Sequence, residues 1–137
     1  MSLDAVLTII EAAKAKSQEI QVPMVIAVVD DGGNLVAQQR MDGSLLVSIT
    51  IALNKAYTAV AVKMPTHELA NVSQPNQPLF GIHNAQDSRI VIFGGGFPLS
   101  DKHGKIIGGI GVSGGSVEED MACAQKGVDA FNALLKS

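Results

Sequence analysis

A chain of 137 residues with 47% hydrophobic and 17% charged residues has room for a buried core in one compact domain and too little charge for a disordered chain. Its net charge of −3 and its two arginines, Arg40 and Arg89, argue against nucleic acid as a partner, because a phosphate-binding surface needs clustered Lys and Arg. The single cysteine, Cys123, permits no internal disulfide and fits a reducing, cytoplasmic setting. No leader-like segment and no apolar run of ~18–20 residues is seen, so no membrane association is expected.

Leu3, Val6, Leu7, Ile10, Ala13, Ser17 and Ile20 recur at three- and four-residue steps, which predicts a helix over Leu3–Ile20 halted by Pro23. The unbroken apolar run Met24–Val29 predicts a buried strand, and Leu35–Arg40 a second one. Asp30-Asp31-Gly32-Gly33-Asn34 between them is turn chemistry, so the pair reads as a hairpin. From Ser44 to about Lys63 the apolar residues cover most of a helical circumference. Such a helix is expected to be buried on more than one side, by the sheet and by a second subunit. Thr66 is placed to cap a short helix through about Val72.

Ser73 to Ala85 has no clean period and reads as a loop with at most one helical turn. Arg89–Phe93 is expected as a third strand, ended by Gly94-Gly95-Gly96. Phe97–Ser100 and Lys105–Val112 then form a hairpin around Asp101-Lys102-His103-Gly104. Ser116 and Glu119 have capping-box spacing ahead of a final helix with its core stripe at Val117, Met121, Ala124, Val128, Phe131 and Leu135. Gly127 in its middle implies close packing against the sheet. Hairpins dominate, so residues 1–137 are expected to form one α/β (α+β) domain with a mostly antiparallel sheet.

Three short motifs fail on context. Gly109-Ile110-Gly111-Val112-Ser113-Gly114 spells the dinucleotide fingerprint, but no strand follows the last helix and three acids open it. Gly111-Val112-Ser113-Gly114-Gly115 matches a nucleophile elbow, yet His67, His83 and His103 all precede the serine. His67-Glu68-Leu69-Ala70-Asn71 lacks the second histidine of a zinc-protease helix, and no metal site is assigned. The plain reading of the glycine-rich stretch is a strand end where backbone approaches a helix or a ligand.

Four blocks in order carry a family resemblance: Ala27 to Leu35 followed by Arg40-Met41-Asp42-Gly43; Ala52 with Lys55 to Ala59; Gly95-Gly96-Phe97-Pro98-Leu99; and Gly108 to Gly115 with Glu119-Asp120. Together they resemble the haem-degrading, GlcG-like family, which includes the C-terminal domain of PduO, GlcG and HbpS. The resemblance implies a profilin-like α/β/α arrangement with a five-stranded antiparallel sheet. It also implies homo-oligomers, and haem or a corrinoid such as cobalamin as ligand in some members.

Axial iron ligands are drawn from His, Met, Cys and Tyr, so His83 in the polar loop is the first candidate and His67 the second. His103, in a hairpin turn, reads as a solvated histidine. Arg40 either pairs with Asp42 or holds a ligand carboxylate. Lys55, on an apolar helix, needs an acid in the core or faces a pocket. Gly95, Gly96 and Ser113 complete the candidate set, where the backbone lets a ligand come close. Three function classes stay open: a binding protein for haem, a corrinoid or a smaller metabolite; an enzyme acting on haem or a small oxygenated substrate; and an accessory subunit of a diol- or glycerol-utilisation system.

Overall fold

The computed structural model describes residues 1–137. The elements run α1 (Leu3–Ile20), β1 (Val25–Asp30), β2 (Leu35–Arg40), α2 (Ser48–Val62), α3 (Thr66–Val72), a 3-10 turn (Ile82–Asn84), the single left-handed turn α4 (Ala85–Ser88), β3 (Gly96–Ser100), β4 (Ile106–Ser113) and α5 (Val117–Leu135). The sheet order is β2-β1-β4-β3 and every pairing is antiparallel. No helix is long and apolar enough to cross a membrane.

β1 is apolar throughout because both of its faces are covered. Met24 and the alternating Ile26 and Val28 pack with Ile110 and Val112 of β4 against Val6, Ile9 and Ile10 of α1 and Cys123, Ala124 and Phe131 of α5. Val25 and Ala27 point the other way, to Ala52, Ile49 and Leu53 of α2. Helices therefore lie on both faces, with α1 and α5 on one and α2 on the other. α5 starts as its sequence requires, with Ser116 Oγ accepting from Glu119 N and Glu119 Oε1 accepting from Ser116 N.

The glycines of β4 answer to α2. A Cβ on Gly109 would lie 2.7 Å from the Ala56 carbonyl oxygen, and one on Gly111 would collide with the Ala52 carbonyl. The fingerprint-like spacing is thus a path on which a helix backbone rests directly against a strand.

Three expectations are corrected. The sheet has four strands, not five, because Arg89–Phe93 does not join it. A helix side chain claims that backbone instead: Val91 N donates to Thr58 Oγ1 (3.0 Å), and the same hydroxyl donates to the Arg89 carbonyl (3.3 Å). α2 begins at Ser48 and not at Ser44, because the Asp42-Gly43 turn holds Ser44, whose N and Oγ both donate to the Met41 carbonyl. Thr66 is the first helical residue of α3 and caps nothing there. Its hydroxyl accepts from Gly96 N (2.9 Å), pinning α3 to β3.

Candidate functional site

On the outer side of α2, a groove of about 460 Å³ opens between the helix and residues 88–93. Val47, the residue before α2, and Ile51 within it face Ile90, Val91, Ile92 and Phe93 across it, while Thr50, Asn54, Ser88 and His83 supply its polar lining. That volume falls within the roughly 300–1,000 Å³ usual for small-molecule sites, and the mixture of apolar walls with a few polar groups is their usual composition.

His83 joins this lining on an unusual piece of backbone. Gly81, at φ 94°, turns the chain into the 3-10 turn that carries the histidine. Gln86, Asp87 and Ser88 then follow at φ 54°, 55° and 64°, three non-glycine residues in succession in the left-handed region. Each such residue costs roughly 1–2 kcal/mol, so this strap is held by its surroundings and not by its own preference. The segment after it is tied back to α2 through Thr58.

Beneath the groove, Phe93 covers a buried ion pair. Lys55 Nζ lies 2.8 Å from Asp120 Oδ2, donates to the Val112 carbonyl at 2.8 Å and faces the Phe93 ring at 5.3 Å. The lysine is fully buried and the aspartate nearly so, and Asp120 Oδ1 also accepts from Gly115 N. Burial pulls the amine below its ordinary value and pushes the carboxyl above its own, and their mutual attraction opposes both shifts. Gly95, at φ 122°, wraps this pair so closely that a Cβ would sit 2.7 Å from Lys55 Nζ. Gly96 rests on the Lys55 backbone. Ser113 Oγ donates to Ser48 Oγ at 2.9 Å, and neither hydroxyl is bonded to an imidazole.

The remaining candidates lie apart. His67 stacks at a tilt on Phe97, 5.5 Å between ring centres, and its buried Nδ1 has no hydrogen-bond partner. His103 is exposed in the second hairpin turn. Arg40 and Asp42 line a separate polar cleft of about 490 Å³ with Lys14, Gln18, Gln39 and Met41, without pairing to each other. That cleft takes Lys14 and Gln18 from α1 and shares no residue with the groove that holds His83. The structure therefore gathers Lys55, Gly95, Gly96 and Ser113 beneath α2, sets His83 beside them in the groove, and leaves Arg40 and His67 elsewhere. No three His, Cys, Asp or Glu side chains converge as a metal-ligand set.

Sequence reasoning missed Asp120, Phe93 and Arg89. Asp120 was hidden among three acids that all suit a helix start. Phe93 and Arg89 bound the apolar run Ile90-Val91-Ile92, which reads as a strand until Thr58 is seen to hold it.

Comparison with known proteins agrees with this architecture. The family model for the haem-degrading protein HbpS-like matches residues 1–129. An uncharacterised 15.0 kDa protein from the dhaT–dhaS intergenic region of Citrobacter freundii is 46% identical over 98% of this chain and 94% of its own length. The corrinoid adenosyltransferase PduO of Salmonella typhimurium is 46% identical over 88% of this chain, which spans only 36% of that protein. The crystal structure of Klebsiella pneumoniae protein ORFY superposes with a TM-score of 0.94, at 43% identity over 97% of this chain and 91% of that one. That of a PduOC:haem complex superposes with a TM-score of 0.92, at 43% identity over 96% of this chain and 95% of that one.

Proposed function

The chain belongs to the HbpS-like family, and on that premise we propose that it is a small-ligand-binding protein whose groove beside α2 takes a tetrapyrrole, with His83 as the axial nitrogen donor. One observation carries the reading: of the side chains lining the groove, only His83 is of an axial-ligand type. The residues fit such a group. Val47, Ile51 and the Ile90–Phe93 segment offer apolar walls to a macrocycle, and the imidazole lines the groove with them. Bound haem would supply an iron centre with open-site and redox chemistry. The chain's own part is to seat the ring, keep water from one of its faces and present a nitrogen.

Haem is favoured over a corrinoid. The similarity to the corrinoid adenosyltransferase covers about a third of that enzyme, whereas it covers nearly all of the PduOC chain solved with haem. Titration of the purified protein with haemin, followed at the Soret band, is expected to give a saturable shift. His83→Ala should weaken it by at least about tenfold, the scale of one lost ligand interaction of ~1.4 kcal/mol or more, while His67→Ala leaves it in place. A flat titration, or a His83→Ala variant that binds as well as the parent, overturns the reading.

Self-assembly is part of the same proposal. Leu45, Leu46 and Val47 are 57%, 75% and 58% exposed in succession just ahead of α2, and a contiguous apolar surface of this kind marks an interface. We place a second copy of the chain there, in a homo-oligomer. A stand-alone protein similar to one from the dhaT–dhaS region would then serve its pathway as an assembled ligand carrier.

A further inference from the structure

Next to the groove lies a cation that has no anionic partner. Arg89 stands between Ser88 and Ile90, both of which line the groove. Its guanidinium carbon lies 3.5 Å above the centre of the Tyr57 ring. Tyr57 follows Asn54, the last α2 residue of the groove, by three positions, so it lies on the same side of the helix about 4.5 Å further along the axis. The three ion pairs of the molecule are Lys14–Glu11, Lys16–Glu19 and Lys55–Asp120, and none includes Arg89. Its guanidinium makes no hydrogen bond either; only its backbone does, to Thr58 and Gln86.

A guanidinium laid flat on an aromatic ring is fixed in orientation and keeps its N–H edge free. Such an edge matches the two oxygens of a carboxylate. We propose that Arg89 anchors a carboxylate of the groove ligand, so that the site selects apolar, planar molecules carrying an acidic arm over their neutral counterparts. The assignment rests on the groove being the binding site. Haem meets the requirement through its propionates. Arg40, the other arginine, lines the separate cleft instead, with Lys14 and Gln18.

The test compares haemin with its dimethyl ester, which has the same ring and iron but no free carboxylate. The parent protein is expected to bind haemin about tenfold or more tightly than the ester. Arg89→Ala should erase that preference by weakening haemin alone, leaving the affinity for the ester unchanged. Arg89→Lys should restore part of it, since an ammonium supplies charge without the planar fork. Arg89→Gln, which keeps side-chain bulk over Tyr57, serves if the alanine variant does not fold. Equal binding of the two probes by the parent, or an undiminished preference in Arg89→Ala or Arg89→Gln, overturns the role of Arg89 while leaving the groove reading intact. Failure of the parent to bind either probe overturns both.

Discussion

Replacing Asp120 by Asn would leave the Lys55 amine buried with only the Val112 carbonyl, the Phe93 ring and a neutral amide around it. Breaking a buried pair from one side costs about 3–5 kcal/mol, because an uncompensated charge stays behind. Urea unfolding at neutral pH is expected to show a loss of that size for Asp120→Asn, and a smaller one for the double replacement Lys55→Met with Asp120→Leu. The pH dependence has a definite sign. Burial already holds the Lys55 amine below 10.5 in the folded chain, and removing the carboxylate lowers it further. Between that lowered value and 10.5 the unfolded chain binds more protons, so stability rises with pH there. The deficit of Asp120→Asn relative to the parent should therefore narrow as pH is raised from 7 towards 10. The sequence already shows that Lys55 needs an acid or a pocket, since an amine on so apolar a helix cannot stand alone. It does not show which acid. Asp120 is 65 positions away, and only the packing of α5 on the sheet turns it inward while Glu118 and Glu119 stay at the helix start.

Among the elements, those with strong local signals lie where the sequence predicts them: α1 from its apolar stripe, the two hairpins from their turns, α5 from its capping box. The strap around His83 and the segment after it are set by distant groups, and there the sequence is silent. Arg89–Phe93 has the composition of a strand but meets a threonine hydroxyl before it meets a neighbouring strand. Likewise, nothing in Ala85-Gln86-Asp87-Ser88 announces a left-handed turn, because none of these residues is glycine. The strain in that turn is measurable. Gln86→Gly is expected to raise the unfolding free energy by about 0.5–1 kcal/mol, the left-handed penalty removed less the extra freedom glycine gives the unfolded chain. Gln86→Ala should give no such gain, which urea midpoints of the two variants would check.

For the whole molecule, the unbroken apolar run of β1 announced a buried strand and the family resemblance implied helices on both faces of the sheet, whereas a sheet of four strands rather than five was not legible. The surplus apolar surface of α2 was legible as well; its use is the remaining question at this scale. Light scattering is expected to find the parent protein as a homo-oligomer, and Leu46→Glu to shift it to smaller species by placing a charge within the apolar patch. A parent protein that runs as a monomer at micromolar concentration would remove self-assembly from the proposal.

The bare glycine path on β4 bears on how a ligand gets in. Because the Ala52 and Ala56 carbonyls sit directly on that path, α2 cannot slide or tilt without driving its backbone into the sheet. The groove thus works like a vice with one fixed jaw. Any widening has to come from the opposite side, from the strap and the chain that follows it through Phe93. The speed of ligand entry should accordingly follow the ease with which that side swings, and be indifferent to changes that stiffen the helix.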